Sequence, residues 1–198
     1  MRLPVPCRQR VYRRSMLVWF LLLGLMSPGH ALAADEITYD FEEILQAVRG
    51  VLGSVGEGMA QGMEKVFADL GQPDAYIAGE EKAGAFVVDV RYGQGQLFSK
   101  RGPNGLQVYW QGPSAGFDFG GSMLTQVFIL VYNLSEPARL FQRFPGVEGS
   151  VYFVAGVGVN YYNAGSIQLA PLRTGFGFRE GANAGYLHFT KKRSWVPF

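Results

Sequence analysis

A small antiparallel β-barrel of about eight or more short strands, preceded by an N-terminal helical segment and interrupted by one short helix, is the fold this sequence predicts. Three observations carry that reading. Residues 36–70 place apolar side chains at spacings of three and four. From residue 84 onward, short alternating or β-branched runs are separated by glycine-rich turns. A basic and then apolar leader fills residues 1–33 and stands apart from both.

The leader comes first in the chain. Arg2, Arg8, Arg10, Arg13 and Arg14 precede the unbroken apolar run from Met16 to Met26, and Ser27-Pro28-Gly29 then leads to Ala31-Leu32-Ala33. A basic region, a short hydrophobic region and an A-x-A site form the layout of a secretory signal peptide. The apolar run is about half the ~20 residues that cross a bilayer. The expectation is cleavage before Ala34, export and a periplasmic protein.

Composition narrows the function. Residues 1–33 hold five of the 18 basic side chains and no acid, so 13 basic face 16 acidic side chains from Ala34 onward, a net charge of −3. Phosphate neutralisation needs clustered excess Lys and Arg, so a nucleic-acid partner is not expected. The single cysteine, Cys7, lies in the leader. With no later cysteine and one later histidine, His188, the usual ligands of a zinc site are missing. No metal and no cofactor are expected. The 165 residues after the leader suffice for one domain with its own core.

The helical segment starts with Asp40 and Glu43 in capping-box spacing and ends at Gly71. Gly50, Gly53, Gly56, Gly58 and Gly62 interrupt it. Each glycine costs about 1 kcal/mol relative to alanine in a helix, so a break or kink is expected near 53–58. The glycines also suit close approach to another backbone. Residues 72–83 read as a polar connector, which places an N-terminal helical region at 34–83 and the barrel at 84–198.

Within the barrel region, 86–92 and 96–100 read as strands around a Gly93-Gln94-Gly95 turn. Pro103-Asn104-Gly105 marks a hairpin that opens the strand 106–111. Further strands are expected at 116–119, 127–132, 150–162, 166–172, 175–178 and 186–190. A short helix is expected over 136–144, with Pro137 in its first turn.

Two alternatives arise from short motifs. Gly112-Pro113-Ser114-Ala115-Gly116 matches the G-x-S-x-G nucleophile elbow, which needs a helix after the serine and a histidine base. Phe117-Asp118-Phe119-Gly120-Gly121 does not read as a helix, and a triad would have to combine Ser114 with His188 and Asp118 or Glu148. A serine hydrolase is therefore the rival, and a non-enzymatic protein is expected. The terminal Ser194-Trp195-Val196-Pro197-Phe198 invites an outer-membrane barrel, but runs such as 116–119 fall short of the ~10 residues per membrane strand. Glu80, Glu81 and Asp118 read as solvated or capping acids.

Several stretches together resemble the EipA-type envelope integrity family of proteobacteria, a family of unknown biochemical function. They are Tyr76-Ile77-Ala78-Gly79-Glu80-Glu81, Arg91-Tyr92-Gly93-Gln94-Gly95, Tyr109-Trp110-Gln111-Gly112-Pro113-Ser114 and Leu130-Val131-Tyr132-Asn133-Leu134. Arg143-Phe144-Pro145-Gly146-Val147-Glu148-Gly149-Ser150, Ala170-Pro171-Leu172-Arg173-Thr174-Gly175 and the Trp-x-Pro-Phe end complete the set. The resemblance spans about 36–198 and implies a soluble periplasmic β-barrel that helps maintain the envelope, with no known enzyme activity. More distantly, Gly-x-Gly-Gln-Leu-Phe at 93–98, Trp-x-Gly-Pro-Ser at 110–114 and Phe-Ile-Leu-Val-Tyr-Asn at 128–133 look like SYLF domains. That likeness implies anionic-lipid binding helped by an amphipathic helix. Here the segment departs from the pattern, because Arg49 and Lys65 are the only cations in 36–70.

The expected work is contact with envelope lipid, glycan or an envelope protein. Arg91, Tyr92, Tyr109, Trp110, Gln111, Asp118, Arg143 and Arg173 are the candidate binding residues, since aromatics beside hydrogen-bonding side chains suit glycans and headgroups. The same aromatics also suit a core, and strand alternation sends Tyr109 and Trp110 to opposite faces. Peripheral membrane contact through residues 41–70 is a further expectation.

Overall fold

The computed structural model describes residues 37–53, 56–85, 89–113, 123–147, 152–174 and 185–194. The leader at 1–33, the strands expected at 116–119 and 175–178, and Ser114, Asp118 and Glu148 lie outside the described residues.

Two helices open the described chain, α1 (Phe41–Leu52) and α2 (Glu57–Leu70). The capping box forms: Glu43 N–H donates to Asp40 Oδ1 at 2.8 Å, and Asp40 N–H donates to Glu43 Oε2 at 2.9 Å. Gly53 ends α1 with φ +73°, a conformation that L side chains adopt rarely, so the chain breaks where the glycines predict. Among the described residues no helix is long and apolar enough to cross a membrane.

Ten strands follow: β1 (Ala75–Ala85), β2 (Asp89–Ser99), β3 (Leu106–Pro113), β4 (Met123–Tyr132), β5 (Arg143–Pro145), β6 (Tyr152–Val154), β7 (Val157–Val159), β8 (Tyr162–Ala164), β9 (Ile167–Thr174) and β10 (Tyr186–Thr190). All pair antiparallel in one sheet of order β5-β10-β3-β2-β1-β4-β9-β7-β6, with β8 also on β9. β7 and β8 keep one register along β9, Val157 opposite Thr174 and Tyr162 opposite Leu169. They are one strand broken at Asn160 and Tyr161. β7 turns back to pair with β6, while Tyr162 bridges Gly146 beside β5 and draws the far edge of the sheet in. The sheet therefore curls around an interior, as the mainly β barrel reading anticipates.

Strand alternation divides the apolar residues between two cores. Inward-facing Ala75, Ile77, Leu97, Val108, Val127, Ile129, Val131, Leu169, Leu187 and Phe189 fill the curl. Outward-facing Phe128, Leu130 and Tyr132 of β4, with Ala170 and Leu172 of β9, carry the helices through Ile44, Val48, Met59, Met63 and Val66. Gly62 permits close approach: a Cβ there would stand 3.2 Å from Leu172 Cδ2. The apolar helical face thus packs on the barrel, and 36–198 forms one compact unit.

Three local readings need correction. The connector expected at 72–83 is mostly β1, a central strand whose small and charged residues hide its alternation. Residues 93–95 are no turn, because β2 runs straight through them. Gly79 and Gly95 sit opposite each other, and a Cβ on Gly95 would lie 2.5 Å from the Ala78 carbonyl oxygen, so these glycines serve close strand packing. The short helix at 136–144 is a 3₁₀ turn, Pro137–Leu140, followed two residues later by β5. The chain must return to strand at Arg143, which leaves too few residues for an α-helix. The Pro103-Asn104-Gly105 hairpin is present, with Gly105 at φ +76° and Ser99 N–H donating to Asn104 Oδ1.

Candidate functional site

The same alternation splits the candidate residues into two groups on opposite faces of β1, β2 and β3.

The inner group is built around Glu81, an acid the sequence reading left in solvent. It is 2 % exposed. Its register explains its partners. Glu81 lies opposite Gly93, and Gly93 lies opposite Trp110. Because Gly93 has no side chain, the Trp110 indole crosses it; a Cβ there would fall 1.9 Å from the ring. Trp110 Nε1 thereby donates to Glu81 Oε1 at 2.7 Å. From β9, Arg173 donates through Nε to Oε2 at 2.7 Å and through Nη2 to Oε1 at 3.1 Å, a two-point grip. Arg91 adds a longer ion pair, Nε to Oε2 at 3.5 Å. Tyr162 hydrogen-bonds with both guanidiniums. Burial by itself raises the Glu81 carboxyl, but the charges of Arg173 and Arg91 outweigh it and hold the group below its ordinary value. Arg91, Trp110 and Arg173 are therefore interior residues.

The outer group lies on the opposite face of the same strands, where Gln111 is buried and Tyr92, Gln94 and Tyr109 are partly exposed. Glu80 and Lys82 of β1, Tyr92 and Gln94 of β2, Tyr109 and Gln111 of β3, Thr190 of β10, and Arg193 and Ser194 beyond it line an open-sided groove of about 130 Å³. The tail after β10 shapes it: Arg193 Nη2 donates to Gln94 Oε1 at 3.1 Å, and Gln94 Nε2 donates to Glu80 Oε1 at 2.9 Å. Two tyrosine rings thus stand among acid, base, amide and hydroxyl groups. The groove is smaller than the ~300–1,000 Å³ of pockets that swallow a whole ligand. It suits one ring of a longer chain.

Arg143 lies one strand further along the sheet. It is exposed and stands 5.2 Å over the Tyr186 ring. His188, paired in register with Gln111 and Arg143, has its imidazole pulled below its ordinary value by burial and by Arg143. Of the eight candidates, the structure gathers Arg91, Trp110 and Arg173 inside and Tyr92, Tyr109 and Gln111 outside, and it places Arg143 beside the outer group. Asp118 falls outside the described residues. Glu80, Lys82, Gln94, Thr190 and Arg193 escaped sequence reasoning; the one usable signal was alternation, which puts Glu80, Tyr92 and Tyr109 on a common face once β1 is read as a strand.

Comparison with known proteins places these features in a family. A family model described as envelope integrity protein A matches residues 37–198. A crystal structure of a beta-barrel-like, uncharacterized protein from Brucella abortus superimposes with a TM-score of 0.72 at 43% sequence identity, covering 82% of this chain and 99% of that one. No curated protein matches the chain.

Proposed function

Since the chain belongs to the envelope integrity protein A family, we propose that it supports the cell envelope from the periplasm, without catalysis, by holding an envelope glycan in the outer groove of β1, β2, β3 and β10. One observation carries the reading: Tyr92 and Tyr109 flank the groove while Glu80, Lys82, Gln94, Gln111 and Arg193 line it. A sugar ring presents C–H faces to aromatic rings and hydroxyls to donors and acceptors, which is the chemistry this lining offers. The basic leader with its Ala31-Leu32-Ala33 site supports the periplasmic address. Glu80 is the one carboxylate in the lining, which contains no histidine or cysteine. That supports binding over acid–base or nucleophilic chemistry.

Lipid and protein partners are the other outcomes of the same experiment. The apolar face of α1 and α2 is spent on the barrel, so peripheral membrane contact through residues 41–70 falls to exposed residues such as Val51. Calorimetric titration of the protein from Ala34 with soluble peptidoglycan fragments, and separately with polysaccharide released from the outer membrane, tests the proposal. One glycan should bind saturably, and Tyr109→Ala should weaken it by a few-fold to about tenfold, the worth of one aromatic contact. Heats from anionic vesicles but from neither glycan would replace the glycan with lipid.

A further inference from the structure

Gln94 lines the outer groove with its amide held at both ends. Arg193 Nη2 donates to its Oε1, and its own Nε2 donates to Glu80 Oε1. A guanidinium can only donate and a carboxylate can only accept. The two partners therefore decide which end of the amide is oxygen and which is nitrogen. A primary amide carries two N–H donors and an oxygen with two lone pairs. The two bonds use one of each, which leaves one N–H and one lone pair across the same small planar group. Tyrosines stand on both sides of it: Tyr109 lies opposite Gln94, and Tyr92, two residues before Gln94 on β2, lies opposite Gln111. Tyr92 and Tyr109 are thus diagonal neighbours, about 7–8 Å apart. That spacing equals two carbon–carbon contacts of about 3.5–4.0 Å, so one sugar ring can seat between them, over Gln94.

Resting on the glycan reading of this groove, we propose that Gln94 makes it selective for an internal sugar with two free neighbouring hydroxyls. One hydroxyl donates to the remaining lone pair of Gln94 Oε1, and its neighbour accepts from the remaining N–H of Nε2. An internal sugar of peptidoglycan cannot offer that pair. An acetamido group takes its second carbon and the glycosidic bond its fourth, so the hydroxyl on the third has no neighbour. A hexose polysaccharide of the outer membrane, linked so that two adjacent hydroxyls stay free, can offer it. The ligand class is therefore a diol-bearing polysaccharide and not the peptidoglycan strand. Arg193 is a positioning residue that acts through Gln94. It opposes the turned amide, in which Nε2 would meet the guanidinium and Oε1 the Glu80 carboxylate.

Calorimetric titration of the protein from Ala34 with outer-membrane polysaccharide, before and after periodate oxidation and borohydride reduction, tests this. Periodate cuts the carbon–carbon bond between neighbouring hydroxyls and spares sugars without such a pair. Peptidoglycan strands stripped of their peptides are the diol-free comparison. The intact polysaccharide should bind, and oxidation should weaken binding about tenfold or more, because the amide then loses both of its ligand hydrogen bonds. Gln94→Met, with its fold checked by near-ultraviolet circular dichroism, should lose about as much for the intact polysaccharide. Arg193→Met should lower the ratio of intact to oxidised affinity several-fold, and Arg193→Lys, which keeps a donor for Oε1, should restore it. Tyr109→Ala should weaken binding and keep the ratio, as would any variant that merely loosens the groove. Full affinity for the oxidised polysaccharide, full affinity in Gln94→Met, or tighter binding of the stripped strands overturns the diol selectivity and leaves a glycan site standing. An unchanged ratio in Arg193→Met overturns the role given to Arg193. Heat from neither glycan overturns the glycan reading itself, and this proposal with it.

Discussion

The outer face of β4 and β9 and the outer face of β2 and β3 belong to one sheet with one strand geometry, yet they meet different fates. On β4 and β9 the outward side chains are Phe128, Leu130, Tyr132, Ala170 and Leu172, and two helices bury them. On β2 and β3 they are Tyr92, Gln94, Tyr109 and Gln111, and they border an open groove. The difference teaches that residue chemistry, not strand position, decides where the helices go. Apolar outward rows gain about 1.5–3 kcal/mol for each large side chain covered. Covering Gln94 or Glu80 would cost desolvation that a helix made of Ile44, Val48 and Met63 cannot return in hydrogen bonds. The helices therefore settle on the apolar half and leave the polar aromatic half facing outward.

The most severe challenge to this contrast is a matched pair of substitutions. Phe128→Ala, under the helices, should cost about 3–5 kcal/mol. Tyr109→Ala, on the open face, should cost less than about 1 kcal/mol. Urea unfolding midpoints measure both, and near-equal losses would mean that the groove side is also a structural core.

A smaller and pH-dependent effect separates the interior cluster from both outer faces. The folded carboxyl of Glu81 lies below the ordinary 4.5 of the unfolded chain. Its ion pairs therefore stabilise the fold fully above the unfolded value, and that contribution is lost as pH falls through the folded value. Urea midpoints of the wild type should hold down to about pH 4.5 and drop in more acid solution. In Glu81→Gln the drop should shrink, on a baseline lowered by about 3–5 kcal/mol because two guanidiniums lose their charged partner. An identical acid limb in both proteins would remove Glu81 from the account of the interior.

Much of this organisation was legible because it is local. Asp40 and Glu43 stand three residues apart and cap α1; Pro103-Asn104-Gly105 turns a hairpin; the glycines near residue 53 break the helical stripe. The opposite orientation of Tyr109 and Trp110 followed from alternation alone. What stayed hidden depends on distance along the chain. Glu81 looked like a solvent acid because its partner Arg173 is 92 positions away. β1 looked like a connector because Ala75, Ala78, Gly79 and Ala83 are small and Glu81 points inward with a charge. Gly93 looked like a turn because nothing near it in sequence shows that a tryptophan on the next strand needs its empty space. The outer groove required β1 to be a strand and the tail to fold back through Arg193 and Gln94, neither of which has a local sequence signal.

The central claim is that the outer face bearing the groove is the ligand surface and the helix-covered face is structural. Backbone amide chemical-shift mapping of the protein from Ala34, during titration with the binding envelope glycan, tests this directly. The account predicts that the perturbed amides cluster at Glu80, Tyr92, Gln94, Tyr109, Gln111 and Thr190, while those of Ile44, Met63, Phe128 and Leu172 stay unmoved. Perturbations concentrated on α1 and α2 with a silent groove would contradict it.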